Sequence, residues 1–264
     1  MSDNYVGRTI VVTGGTSGIG LATSRRFLST GANIAICGRD KPRLKTAMNE
    51  LSKEFGDERL LGRVCDVLNK VQVSNFADAV AQRFGGIDTL VNNAGQARLS
   101  TFADTDDEMW REELELKFFS IIHPSKAFQP YLNKSKSGAI VCVSSLLSLQ
   151  PEPRLVATSA ARAGQLSLIH SMAIELAPTI RVNAILIGVI VSGQWHRRFE
   201  GDKESGNDFD AWLLRQAAEK GIPLGRFGQP EEAANAVYFL GTPMSSYTTG
   251  STIDLSGGYS KNVG

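Results

Sequence analysis

The residues best suited to chemistry near the start of the chain are the glycines and hydroxyl residues of Thr13-Gly14-Gly15-Thr16-Ser17-Gly18-Ile19-Gly20. Glycine lets a backbone turn sharply and approach a ligand closely. When such a segment opens a helix, its amide groups and the positive end of the helix dipole bind the pyrophosphate of a dinucleotide. A β-branched run precedes this segment and a helical pattern follows it, so the sequence predicts a dinucleotide site here.

The elements that must position this segment are short apolar runs that alternate with longer amphipathic stretches, which is the pattern of βαβ units. The runs are rich in Val and Ile, as strands buried on both faces should be. Right-handed crossovers then give an α/β fold, a doubly wound parallel β-sheet with helices on both faces, and we expect a single domain over residues 1–264. The expected strands are Thr9–Thr13, Asn33–Cys37, Leu60–Asp66, Asp88–Val91, Ala139–Ser144 and Arg181–Ile187, and the expected helices include Gly20–Ser29, Lys41–Glu54 and Val71–Phe84.

Composition narrows the function classes. The 264 residues are 42% apolar and 21% charged with a net charge of +1, which predicts a folded chain and indicates no basic face for nucleic acid or anionic lipid. The longest apolar run, Val182 to Val191, is about half as long as a membrane span, and the polar start of the chain has no secretion signal. We therefore expect a soluble cytoplasmic protein that binds neither nucleic acid nor membrane.

The cysteines and histidines predict no metal site. Cys37, Cys65 and Cys142 are odd in number and widely spaced, and the three histidines are scattered. A disulfide framework or a zinc site would need closer or paired spacings. We expect the three thiols to be buried among apolar residues.

One segment, residues 192–223, interrupts the alternation. It carries Gln194-Trp195-His196-Arg197-Arg198, then an acidic stretch, then a helical pattern at Ala211–Glu219. Irregular insertions at the carboxyl edge of a doubly wound sheet usually cover the ligand, so we expect a substrate-covering lid, with a mobile surface excursion as the alternative. Its aromatic and basic residues hint at an anionic or aromatic ligand, although basic lid residues are often only solvated.

The glycine segment and several later motifs resemble the classical short-chain dehydrogenase/reductase family over nearly the whole chain. Thr13–Gly20 matches the family's TGxxxGxG pattern. The other matching motifs are Asn92-Asn93-Ala94-Gly95, Arg181-Val182-Asn183, Ile187-Gly188, Gly225–Glu232 and Gly257-Gly258. The resemblance implies a Rossmann-type fold, a nicotinamide cofactor and a homotetramer, with a dimer as the fallback.

The resemblance also implies which residues bind the cofactor. Asp66 is expected to accept the adenine amino group, Asn93 to contact the adenosine side, and the Ile190 backbone to meet the carboxamide. The full expected set is Gly14, Thr16, Ser17, Gly18, Ile19, Gly20, Arg39, Asp66, Asn93, Ala94, Gly95, Arg162, Gly188 and Ile190.

The end of the second expected strand indicates which cofactor is bound. An acidic side chain there would bind the ribose 2′-hydroxyl of NAD, and Gly38 supplies none. Arg39 can instead face a 2′-phosphate through charge-assisted hydrogen bonds, or it is simply solvated. The sequence therefore predicts NADP(H) in preference to NAD(H).

The catalytic positions depart from the family. Active members use a tyrosine to transfer the proton, a lysine to lower its pKa and hold the ribose, a serine to steady the carbonyl and an asparagine to anchor a water. Ser145 is the matching serine, but the other three positions hold Thr158, Arg162 and Lys117. A threonine hydroxyl is too weak an acid to replace the tyrosine, and arginine, with a pKa above ~12, could hold ribose hydroxyls but is a poor proton shuttle.

Lys117 is the candidate for the missing acid. The matching asparagine lies close to the active-site lysine in the family, so Lys117 should lie near Arg162. Burial beside that fixed positive charge should lower the lysine pKa towards neutrality, where an ammonium donates protons well. Ser145 and Thr158 would then orient the substrate oxygen. A solvated or subunit-interface lysine is the alternative.

Three function classes follow from these features. The favoured one is an NADP(H)-dependent oxidoreductase that transfers hydride to a carbonyl or activated double bond of a small-molecule substrate with a non-standard proton donor. The second is a non-redox isomerase or lyase, and the third is a catalytically silent sensor of the cofactor. The retained Ser145 and the charged replacements favour an enzyme.

Overall fold

The computed structural model describes residues 5–202 and 205–261, and at its centre lies one seven-stranded parallel sheet. The strand order is β3-β2-β1-β4-β5-β6-β7. The strands are β1 (Thr9–Thr13), β2 (Asn33–Gly38), β3 (Leu60–Val64), β4 (Thr89–Asn92), β5 (Gly138–Ser145), β6 (Ile180–Ile187) and β7 (Thr252–Leu255).

Helices cover both faces of the sheet. They are α1 (Gly18–Leu28), α2 (Lys41–Phe55), α3 (Lys70–Phe84), α4 (Asp107–Leu132), α5 (Val156–Glu175), α6 (Gly193–Gly201), α7 (Phe209–Lys220) and α8 (Pro230–Gly241). One apolar cluster joins α3, α4 and α5 to the sheet, and a second joins α1, α2 and α8 to the opposite face. This confirms the predicted Rossmann-type α/β fold, in which strands buried on both sides are almost wholly apolar.

The order of the strands determines where a ligand can bind. The chain first builds the sheet outward from β1 to β3 and then crosses to the other side of β1 to add β4. The loops after β1 and β4 therefore leave in opposite directions and open a crevice at the carboxyl edge of the sheet, which is where doubly wound proteins bind nucleotides.

Two of the predicted segments differ most from those observed. The third strand ends at Val64 and not at Asp66: its pairing with β2 stops at Val64, and the Asp66 carboxylate accepts a hydrogen bond from the Leu68 amide in the following turn. The segment 192–223 is more regular than expected: it forms α6 and α7, which pack around an apolar cluster containing Trp195 and Trp212. Residues 203 and 204 of this segment lie outside the described residues.

No helix within residues 5–202 and 205–261 combines the length and the apolar character that crossing a bilayer requires.

Candidate active site

A cleft of about 1250 Å³ follows the carboxyl edge of the sheet, from the end of β2 to the helices α6 and α7. It brings together most of the residues selected from the sequence: Gly14, Thr16, Ser17, Ile19, Arg39, Asp66, Asn93, Ala94, Gly95, Ser145, Thr158, Arg162, Gly188 and Ile190. Gly18, Gly20 and Lys117 are not among its lining residues.

The glycine segment between β1 and α1 is shaped for close backbone approach. Gly14 has a φ of +64°, and a Cβ there would lie 2.9 Å from the Ala94 Cα. A Cβ on Gly20 would lie 2.3 Å from the Gly14 carbonyl oxygen, so this glycine is needed for packing of the helix against the loop. The Asn93 amide donates to the carbonyls of Thr13 and Gly14 at 3.1 and 3.0 Å and holds the loop in place.

The end of β2 has no room for an acidic side chain. A Cβ on Gly38 would lie 2.8 Å from the Thr16 methyl carbon. The nearby Asp40 carboxylate caps α2 by accepting the Arg43 amide at 2.9 Å. The guanidinium groups of Arg39 and Arg43 remain exposed at the rim of the cleft, with Arg39 3.9 Å from the Asp66 carboxylate. A rim with two guanidinium groups suits a phosphate better than a ribose hydroxyl.

At the inner end of the cleft, Arg162 presents hydrogen-bond donors that the protein does not use. Its Nη1 donates to the Val143 carbonyl at 3.0 Å and to Gln165 Oε1 at 2.8 Å. Its Nε is buried without a partner among the described residues, and its Nη2 points towards Gly95. Burial lowers the pKa of Arg162 to about 10, against the opposing effect of the Glu113 charge. The side chain fits the expected role of holding ribose hydroxyls.

Behind the wall of the cleft lies a buried carboxylate, Glu113, that connects two of the replaced catalytic positions. Its Oε1 accepts hydrogen bonds from Lys117 Nζ and from Thr158 Oγ1, each at 2.5 Å. The lysine also donates to the Gln96 carbonyl at 2.7 Å. The Lys117 side chain is 1% exposed and that of Glu113 is 2% exposed. Thr158 therefore stands between this ion pair and the cleft.

The environment of Lys117 changes its acidity. The pKa of Lys117 is lowered to about 8, chiefly by burial and also by the charges of Arg162 and Arg98, against the hydrogen bond and charge of Glu113, which raise it. Proximity to Arg162 is what the sequence led us to expect, but the amine is reached from the cleft only through Thr158 and Glu113. An ammonium with a pKa near 8 is a competent general acid at neutral pH.

Four residues of this site were not predicted from the sequence. Glu113 stands four positions before Lys117 on α4, the spacing at which oppositely charged side chains meet on a helix, so a signal was available. Gln165 forms hydrogen bonds with Arg162, with Ser144 and with the Lys117 carbonyl. Arg43 lies in the first turn of α2, the helix that comes directly after β2. Gln96 contributes only a backbone carbonyl, which has no signature in sequence.

Within the described part of the chain, no cluster of three or more His, Cys, Asp or Glu side chains could hold a metal ion. The three cysteines are free and buried.

Comparison with known proteins adds to this geometry. Residues 14–260 match the family model described as enoyl-(acyl carrier protein) reductase. The chain is 32% identical over 257 residues to a 3-oxoacyl-(acyl-carrier-protein) reductase of Thermotoga maritima, covering 96% of this chain and 97% of the relative.

Solved structures of oxidoreductases are also similar to this chain. The NADPH-bound short chain oxidoreductase of Pseudomonas aeruginosa PAO1, described as containing an atypical catalytic center, superimposes with a TM-score of 0.94 at 54% identity, covering 98% of this chain and all of that chain. The L-sorbose reductase of Gluconobacter frateurii, complexed with NADPH and L-sorbose, superimposes with a TM-score of 0.93 at 32% identity, with both chains fully covered. The chain belongs to the classical short-chain dehydrogenase/reductase family.

Proposed function

We propose that this protein is an NADP(H)-dependent oxidoreductase that reduces a carbonyl or an activated double bond and draws its proton from Lys117 through Glu113 and Thr158. The observation that carries the proposal is the pair of hydrogen bonds at Glu113 Oε1, because they link a buried lysine of lowered pKa to a hydroxyl on the wall of the cleft.

The choice of cofactor rests on the rim beside β2. Thr16 fills the space that an acidic side chain at position 38 would need, and Arg39 and Arg43 leave two exposed cations at the same place. Relatives of known structure bind NADPH, including the oxidoreductase of Pseudomonas aeruginosa and the L-sorbose reductase. NADPH, when bound, supplies the hydride, and Arg162 is the residue suited to hold its nicotinamide ribose.

The proton route uses the same three groups with the Thr158 hydroxyl reversed. In the structure this hydroxyl donates to Glu113 Oε1. When Lys117 Nζ gives its proton to the Glu113 carboxylate, the hydroxyl turns its hydrogen to the substrate oxygen; the carboxyl then passes its proton to Thr158 Oγ1 as the threonine's own proton moves to the substrate. Glu113 and Thr158 end unchanged, and Lys117 ends neutral and is protonated again from solvent before the next turnover. In this arrangement Thr158 transfers a proton in addition to orienting the substrate, and Ser145 provides a second hydroxyl on the same wall.

Another part of the cleft wall is made by described residues of the segment 192–223. Gln194, Trp195 and Arg198 of α6, together with Lys220 at the end of α7, line the part of the cleft beyond Ser145. We propose that this segment is the lid that covers the substrate.

The test is a screen for NADPH oxidation over carbonyl, enone and enoyl-thioester compounds, followed by variants on the best substrate. Thr158→Val keeps the shape of the side chain without its hydroxyl and should lower kcat by about 100-fold or more, the range that general acid catalysis contributes. Thr158→Ser, which keeps the hydroxyl, is the matched control and should retain most of the activity. NADPH binding without turnover of any compound would favour the sensor, and a Thr158→Val protein of normal kcat would remove the proton route.

A further inference from the structure

The cleft beyond Ser145 has an unbalanced set of charges. Five charged side chains line it between residue 150 and the last described residues: Glu152, Arg154, Arg162, Arg198 and Lys220. Four of the five are cations, and one of them, Arg162, is the residue suited to hold the cofactor ribose. A water-filled cleft with one sign of charge in excess concentrates ligands of the opposite sign.

Two of these cations are held over the same aromatic ring. The Arg198 guanidinium carbon lies 4.5 Å from the centroid of Trp195, and the Lys220 amine lies 5.9 Å from it. Trp195 is 8% exposed and packs against Trp212 and Phe227 at centroid distances of 6.1 and 4.7 Å, so the platform is part of an apolar cluster. The two charges therefore lie no more than about 10 Å apart on one platform, close to the distance over which salt screens exposed charges at physiological ionic strength.

In the part of the chain that the structure describes, these positive charges are not neutralised by a carboxylate. Within residues 5–202 and 205–261, no carboxylate comes within ion-pair distance of Arg154, Arg198 or Lys220, although ten such pairs form elsewhere in the molecule. The acid that lines this part of the cleft, Glu152, acts on Tyr259, because its charge adds to burial in raising the tyrosine pKa. An aromatic face attracts a cation weakly at exposed sites and leaves its charge in place.

We propose, on the basis of the function proposed above, that the substrate carries an anionic group, a carboxylate or a phosphate, which Arg198 and Lys220 bind over Trp195. The planar fork of Arg198 suits the two oxygens of either group, and Lys220 adds a point charge. Arg154, four residues before Thr158, contributes a further positive charge to the same cleft. The lid segment thus selects substrates by charge as well as covering them.

The test measures binding without requiring turnover. The full protein, saturated with NADP⁺ so that the cationic rim near Arg39 is occupied, is titrated by calorimetry with acetoacetate, with its neutral analogue acetoacetamide and with inorganic phosphate. Acetoacetate should bind about 10-fold or more tightly than acetoacetamide, and only the anions should weaken when NaCl rises from about 50 to about 500 mM.

Variants of the lid residues test which side chains cause the preference for acetoacetate over acetoacetamide. Arg198→Gln and Lys220→Gln should each reduce the preference for acetoacetate about 3- to 10-fold, and the double variant should abolish it, with NADP⁺ affinity unchanged. The control is Arg197→Gln, a neighbouring exposed arginine of α6 that does not line the cleft; it should keep the full preference.

The outcomes separate this proposal from the proposed function. Equal affinities for the acid and the amide, no detectable binding of either anion, or a preference that survives in the double variant would each overturn the anion subsite, while NADPH-dependent reduction of neutral compounds would still support the enzyme. A preference that depends on Arg198 and Lys220 supports the subsite even if no compound is reduced, in which case the proposed function alone fails.

Discussion

The alkaline limb of the pH profile is the sharpest test of Lys117 as the proton source. Reduction needs the ammonium form, so kcat should fall as the pH rises through the lysine pKa of about 8. The protonated fraction falls from about nine-tenths at pH 7 to about one-thirtieth at pH 9.5, which gives a decrease in kcat of about 30-fold with a limiting slope of one decade per pH unit. In the direction of oxidation the dependence should reverse, since the neutral amine then accepts the proton.

Other groups near the cleft should not produce this limb. Burial raises the pKa of Tyr259 above its ordinary value, with Glu152 adding to the effect, so the tyrosine titrates at higher pH. The hydrogen bond from Cys37 lowers the pKa of Cys65, but these thiols line the end of the cleft near β2 and β3. Measuring kcat at saturating NADPH at every pH removes effects on cofactor affinity.

The assay is absorbance at the NADPH band between about pH 6 and pH 10, with kcat determined at each pH for three proteins. Lys117→Met should lose most of its activity, and its residual kcat should no longer decrease around pH 8. The affinity of this variant for NADPH should be nearly unchanged. Lys126→Met, a change of an exposed lysine on the same helix, should keep both the rate and the limb. A limb near pH 8 that persists in Lys117→Met, or normal activity in that variant, would refute the reasoning.

Three further predictions concern cofactor, stability and assembly. NADPH should bind about 10-fold or more tightly than NADH, equivalent to about 1.4 kcal/mol, and Arg39→Ala should erase most of that difference in fluorescence titrations; equal affinities in the unmutated protein would contradict this. Lys117→Met should lower the free energy of unfolding by about 3–5 kcal/mol in urea because it leaves Glu113 buried without its cation, and the double variant Glu113→Gln/Lys117→Met should recover most of the loss; a single variant as stable as the unmutated protein would show that the pair is not coupled. Light scattering at micromolar concentration should show a homotetramer, or at least a dimer, formed through α4 and α5, and a monomer would exclude this assembly.

Most of the fold could be predicted because its signals are local. Runs of Val and Ile set the strands, and the turn residues between them set the boundaries to within two residues, as at β1 and β2. The end of β3 could not be predicted because it depends on where its pairing with β2 stops. Helix α6 was not predicted either, because its apolar residue Trp195 packs against Phe227, which lies far along the chain.

The candidate site was predictable wherever a residue could be placed by a motif. The glycine segment, Ser145 and the three replaced positions were all located in this way. The hydrogen bond between Glu113 and Thr158 was not, because it joins α4 to α5 across 45 positions of sequence. The position of Lys117 behind Thr158, and not on the wall of the cleft, likewise follows from the packing of two helices and leaves no trace in composition or spacing.

The buried pair of Glu113 and Lys117 also restricts how this site could be converted to the family's usual residues. Replacing Lys117 by asparagine would strand a carboxylate that is 2% exposed, at a cost of several kcal/mol. Placing a tyrosine at position 158 would remove the hydroxyl that now shares the same carboxylate oxygen. Any single exchange is therefore worse than either complete arrangement, and a viable route must alter position 113 together with the catalytic positions. Intermediates with only one exchange should therefore be less stable or less active than either version of the active site. Engineering from one version to the other should change all of these positions at once.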